Sequence, residues 1–181
     1  ILPWAPARAA LGILTPAAMA IGAFAMLGYV TANEPVGHGV GAFPGGVAIP
    51  FVADGFSLLM LGVASLVVFV ASWFAQVVGE NKSRFFSSLT LMMSSGMAGA
   101  FLTADLFNFF VFMEVMLLPS YGLIAVTGTW HRLAAGRSFV LVNLLTSTVL
   151  LIGVALTYGS VGSVNIALLA GVAAGGGPGT V

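Results

Sequence analysis

From Phe51 to Val78 the chain carries a single ionisable side chain, Asp54, in an otherwise mostly apolar stretch. An α-helix rises about 1.5 Å per residue, so some 20 apolar residues cross the roughly 30 Å hydrocarbon core of a bilayer. Four more stretches meet that requirement: residues 9–31, which include Pro16, then 85–103, 106–127 and 138–158. A sixth, 163–174, is apolar but only about half a span. It reads as a loop helix with Ser163 as its N-cap. The expected fold is all-α: one polytopic membrane domain over residues 1–181, with five transmembrane helices and a short loop helix.

Composition excludes most alternatives. Asp, Glu, Lys and Arg make up 6% of the 181 residues and hydrophobic residues 60%. Soluble domains carry about 25% charged residues, and so few charged side chains cannot cover the surface of a soluble protein this long. The mean hydropathy of +1.13 agrees. The formal net charge of zero provides no basic footprint for nucleic acid. The absence of cysteine removes disulfides, thiol catalysis and Cys-ligated metals. The histidines, His38 and His131, fall in polar connections and form no metal-binding cluster. The glycine-rich stretch 171–179 lacks the Lys-Ser/Thr of a phosphate-binding loop. No cofactor or metal is expected. The chain opens on Ile1-Leu2-Pro3 rather than Met and closes on a glycine-rich stretch, so it is expected to be an internal piece of a longer membrane protein.

Basic residues collect on the cytoplasmic side of membrane proteins. Arg8 precedes the first span, Lys82 and Arg84 lie between spans two and three, and Arg132 and Arg137 lie between spans four and five. The remaining connections hold Glu34 and Asp105 but no Lys or Arg. All five basic residues thus fall on one side of a five-span arrangement. The expectation is a multi-pass protein of the bacterial inner membrane, with its N-terminal end cytoplasmic and its C-terminal end outside. Tyr29 and Tyr158 would sit at the outer interface, and Trp4, Trp73 and Trp130 towards the inner one.

One charged residue does not lie at a span end. Glu114 lies eight residues into span four, roughly 12 Å deep. Placing a carboxylate there costs at least a few kcal/mol, which marks an intramembrane ionisable group as functional by default. A carboxyl that can be neutral when desolvated, or ionised beside a cation, suits proton transfer. The plainer reading is a protonated Glu that hydrogen-bonds across helices. Tyr121 follows two turns later on the same face, with Pro119 and Ser120 between. Pro119 cannot donate to the carbonyl of Val115, so a kink is expected there. Span three is small and hydroxylic. Its Ser95/Gly99 and Gly96/Ala100 pairs favour close helix packing, while Ser94 and Ser95 could help wet a proton path. Asn143 and Ser147 share a face of span five, which could look towards Glu114 or bond a neighbouring helix. Asp54 and Asp105 lie near the outer surface at helix starts, where a carboxylate is electrostatically favoured.

The stretch from Gly99 to Leu123, with Asp105-Leu106-Phe107-Asn108, then Glu114 in an aromatic run, then Pro119-Ser120-Tyr121, resembles the antiporter-like membrane subunits. These are shared by respiratory complex I, membrane-bound hydrogenases and Mrp cation/proton antiporters. The pieces 51–57, 142–147 and 159–167 agree, and the D subunit of the Mrp antiporters is the most similar branch. The resemblance implies that the five spans match family helices two to six. It also implies that Glu114 matches the Glu which, in the family, pairs with a Lys on the seventh helix to drive or gate proton movement. That Lys is absent from this sequence. The implied function is Na⁺/H⁺ antiport within a hetero-oligomer of membrane subunits in the lipid bilayer, with Glu114 as proton carrier. The rival readings are a proton-pumping subunit of a redox-driven complex and a non-transporting structural subunit.

Overall fold

The computed structural model describes residues 5–42, 49–79, 83–126 and 128–175. Trp4, Lys82 and the last part of the glycine-rich tail, named above, lie outside the described residues, as does the side chain of Arg132. Six α-helices follow one another: α1 (Ala5–Val30), α2 (Gly55–Val78), α3 (Phe86–Leu102), α4 (Leu106–Val126), α5 (Trp130–Val161) and α6 (Ile166–Ala173). Four of them, over Pro6–Val30, Gly55–Val78, Leu106–Val126 and Leu133–Val161, are long and apolar enough to cross a membrane. The 17-residue α3 is the short one, at the lower limit of a spanning helix.

Helices α1, α2 and α3 pack against one another, α4 lies on α3, and α5 joins chiefly through α4. The core of the first group is Ala23 of α1, Leu61 and Val68 of α2, and Met97 of α3. Close approach of α3 and α4 rests on glycine. A Cβ on Gly96 would lie 2.6 Å from the backbone nitrogen of Met116, and one on Gly99 would overlap the Phe112 ring. The expected small-residue packing is present, but through Gly96 and Gly99 one turn apart. Ser95, offered above as a partner of Gly99, is exposed.

The sequence reading missed one feature, because 32–50 reads only as a polar connection. Strands β1 (Val36–Gly39) and β2 (Pro50–Ala53) form an antiparallel hairpin, with His38 opposite Phe51. The turn between α3 and α4 continues this ladder: Phe51 bridges to Thr103 and Asp105 to Asn165. The backbone N–H of Ala104 donates to Pro50 O, Leu106 N–H to Val164 O and Ile166 N–H to Ala104 O, each at 2.9 Å. One end of the bundle is thereby stitched across three connections, which satisfies loop backbone groups that would otherwise be costly to bury.

Helix boundaries shift from expectation in four places. Helix α2 begins at Gly55 rather than Phe51, because residues 51–53 pair in β2. Helix α5 begins at Trp130, so His131 and Arg137 lie in its first turns rather than in a connection. Helix α1 begins at Ala5. The cap of α6 is Asn165, not Ser163: the Asn165 side chain accepts from the backbone N–H groups of Ala167 and Leu168 at 3.0 and 3.3 Å. Ser163 instead accepts from the N–H of Asn165 at 3.2 Å. The Asn side chain reaches the amides two and three residues on, which makes it as good a cap as Ser.

Candidate functional site

Glu114 is carried by α4, whose opposite faces meet different helices. Phe112, Met116 and the fully buried Pro119 belong to the side against α3. Tyr121 and Ile124 meet α5: the Tyr121 and Phe139 rings stack edge-on with centroids 5.7 Å apart, and Gly136 lies against Ile124. These two contacts fix an antiparallel register. In that register Glu114, two turns before Tyr121, lies level with Ser147 of α5 and within about one turn of Asn143.

The polar groups in this seam are short of partners. The carboxyl oxygen Oε1 of Glu114 and the amide nitrogen Nδ2 of Asn143 are both shut away from solvent, and neither has a hydrogen-bond partner among the described residues. A buried polar atom left unpaired costs on the order of 1–3 kcal/mol. Two complementary groups, an acceptor and a donor, carry that cost on facing helices. Tyr121 follows Glu114 by two turns on the same face of α4. Ser120 returns its hydroxyl to Leu117 O at 2.6 Å, beside the turn where Pro119 supplies no N–H for the carbonyl of Val115. Ser147 is buried, and its hydroxyl donates to Leu144 O at 3.3 Å.

The other sequence-derived candidates lie elsewhere. Ser94 is 1% exposed and faces the α1–α3 packing, with its hydroxyl on Thr90 O at 2.8 Å. Ser95 is exposed. The body of α4 separates both from Glu114, because α3 packs on the Met116 side. Asp54 caps α2: its carboxylate accepts from Ser57 N–H at 2.7 Å, and Ser57 Oγ accepts from Asp54 N–H at 3.0 Å. The bond from the Ser57 N–H holds the Asp54 carboxyl below the usual carboxylate range, against the opposing effect of burial. Asp105 does the same work for α4, accepting from Asn108 N–H at 2.8 Å. Thr103 was not singled out from the sequence, yet its buried hydroxyl accepts from Asn108 Nδ2 at 2.9 Å and ties this turn together. Its signal was a Thr just before an Asp-x-x-Asn helix start. Phe139 as the neighbour of Tyr121 left no such signal. Among the described residues, no three His, Asp or Glu side chains come together as metal ligands would.

Apolar spanning helices around one deeply placed carboxyl define a polytopic membrane protein with an intramembrane ionisable site. Residues 103–177 match the family described as NADH:quinone oxidoreductase/Mrp antiporter, transmembrane. Residues 103–177 thus carry the transmembrane domain of this family, and the chain is similar to the D subunit of the Mrp type. The D subunit of a probable K⁺/H⁺ antiporter of Rhizobium meliloti is 41% identical over 131 residues, covering 72% of this chain and 24% of the relative. The D subunit of a Na⁺/H⁺ antiporter of Alkalihalophilus pseudofirmus is 40% identical over 124 residues, covering 67% and 25%. Among solved structures, a chain of the Mrp complex from Dietzia sp. superposes with a TM-score of 0.86 at 46% identity, covering 90% of this chain and 31% of that one. The chain therefore spans about a quarter of the length of the curated relatives it matches.

Proposed function

We propose that this chain is the part of a monovalent cation/proton antiporter subunit that holds its intramembrane proton carrier, Glu114. The observation that carries the reading is a carboxyl in the middle of a spanning helix with a buried, unpartnered oxygen. Such a group takes up a proton readily when none of its neighbours fixes it in one state. Tyr121 and Asn143 are its nearest candidates for polar support, with the Pro119–Ser120 turn loosening the helix between Glu114 and Tyr121. The chain works within a hetero-oligomer of membrane subunits in the bacterial inner membrane, with the Arg8 and Arg84 end cytoplasmic. Proton movement is driven by the existing ion gradient, with no cofactor. Na⁺ is the proposed exchanged cation. The Rhizobium relative, described as part of a K⁺/H⁺ antiporter, makes K⁺ the control to run beside it.

The family description names NADH:quinone oxidoreductase beside the antiporters, so the competing reading is a redox-driven proton pump. One experiment separates them. The full-length subunit in its assembled complex, in inverted vesicles without an electron donor, should let Na⁺ collapse a pH gradient. The Glu114→Gln complex should assemble but lose that exchange. No exchange by wild type without a donor gives the chain to the redox-driven class. Exchange that survives the substitution makes Glu114 a structural residue.

A further inference from the structure

Away from Glu114, at the end of the bundle that carries Arg8 and Arg84, helices α1, α2 and α3 line a small, partly open pocket whose mostly apolar walls carry several polar side chains. Its walls include Gly12 and Ile13 of α1, Ser72 and Gln76 of α2, and Ser87 and Thr90 of α3. The room open to the centre of a water-sized sphere is about 10 Å³, close to what one water molecule requires.

Its polar groups are unspent. Ser72 is 4% exposed, and its hydroxyl makes no hydrogen bond among the described residues. Deeper in the same packing, Ser94 behaves as a membrane-helix serine usually does, returning its hydroxyl to the carbonyl one turn back. Ser72, on the opposing helix, does not. The side chains of Gln76 and Ser87 are also without partners among the described residues, while the Thr90 hydroxyl donates to Phe86 O at 3.0 Å and keeps its capacity to accept. The third wall adds an acceptor. Pro16, fully buried in α1, has no N–H for the carbonyl of Gly12 one turn earlier. Gly12 stands close against Ser87: a Cβ there would lie 3.0 Å from Ser87 Oγ.

We propose that this cavity binds one ordered water molecule, which bridges Ser72, Ser87 and the freed carbonyl of Gly12 and so joins three helices by hydrogen bonds. A water with three polar partners suits a space of this size. A bare cation fits less well, because no carboxylate lines the cavity and an unpaired buried charge is costly. The site does not depend on Glu114 or on the antiport reading.

The test uses the assembled full-length complex and its thermal unfolding midpoint. Ser72→Ala and Ser87→Ala should each lower the midpoint by roughly 2 °C, and the double substitution by no more than the larger single. Loss of either partner already breaks the shared bridge. Two decrements that add, or none in either single variant, overturn the proposal. Gly12→Ala is the independent check, since its methyl group would press on Ser87 Oγ and displace the water. Its midpoint should fall, and the rise that Gly→Ala ordinarily gives inside a helix would overturn the assignment. A wild-type midpoint that rises when Na⁺ replaces choline, with no rise in Ser72→Ala, would give the cavity to a cation instead.

Discussion

In the α1–α3 bundle, most polar side chains are either spent on their own helix or gathered around one small cavity, although the Ser65 hydroxyl of α2 is fully buried without a partner among the described residues. The Thr90 and Ser94 hydroxyls bond carbonyls one turn back at 3.0 and 2.8 Å, and Ser72 and Ser87 face the cavity. Between α4 and α5 the position is reversed. There Glu114 Oε1 and Asn143 Nδ2 are buried without partners, and the helices that carry them are otherwise barely covered. The buried share is 39% for the α2 span but 6% for α4 and 6% for α5. Apart from Ser65, a neutral hydroxyl, the polar groups in the first region hold helices together at little cost. Those in the second are a carboxyl and an amide that carry a desolvation cost, in keeping with the role proposed for Glu114.

The largest effect expected on this contrast is at Glu114. Glu114→Gln keeps size and shape but cannot carry a proton, so Na⁺-driven collapse of a pH gradient should fall by about a hundredfold or more, with subunit assembly unchanged. An equal loss from Ser94→Ala would erase the distinction between the two regions. Next comes Gly96→Ala. Its new Cβ would meet the Met116 backbone, which cannot swing aside, so the α3–α4 contact should lose about 1–3 kcal/mol. The check is the thermal midpoint of the assembled complex, with Gly22→Ala, where nothing lies within 4 Å and the midpoint should hold or rise, as the control. Asn143→Leu should be smaller for transport. If its amide supports the ionised carboxylate, exchange should fall by about tenfold while assembly holds. An Asn143→Leu complex as active as wild type would show that Asn143 serves only packing.

The contrast was partly legible in the sequence, for physical reasons that differ by residue. Span number and order follow from runs of apolar residues long enough for the bilayer, and a lone Glu inside one of them needs no structure to be noticed. The face on which Glu114 meets α5 was not legible, because α4 is apolar all round and its periodicity carries no directional signal. Phe139 therefore carries no mark in the sequence, and Ser94 and Ser95 read as companions of Glu114 when the body of α4 divides them from it. The β-hairpin was missed because its strands are four residues each and one of them is rich in glycine. Short pairings of this kind are held by tertiary contacts rather than by propensity. Asp54 and Asp105 fall at helix starts in the sequence, and that placement carries through to their capping bonds.

Asp54 gives the smallest and most local test. The carboxylate accepts the Ser57 N–H at 2.7 Å, and Asp54→Ala should cost about 1 kcal/mol through the lost cap, with transport by the assembled complex unchanged. The pH dependence has a definite sign. The folded protein holds this carboxyl below its ordinary value of 3.8, so the folded state favours the ionised form. The contribution is complete above the unfolded value and fades as pH falls through the lower folded value. Between about pH 5 and pH 3 the wild-type midpoint should therefore drop further than that of Asp54→Asn, which retains a capping side chain but has no proton to bind. Parallel curves for the two would mean that the cap acts through geometry alone. A wider gap at neutral pH than at about pH 3 ties it to the charge, and so to the end of the molecule where polar groups are structural rather than held ready for a proton.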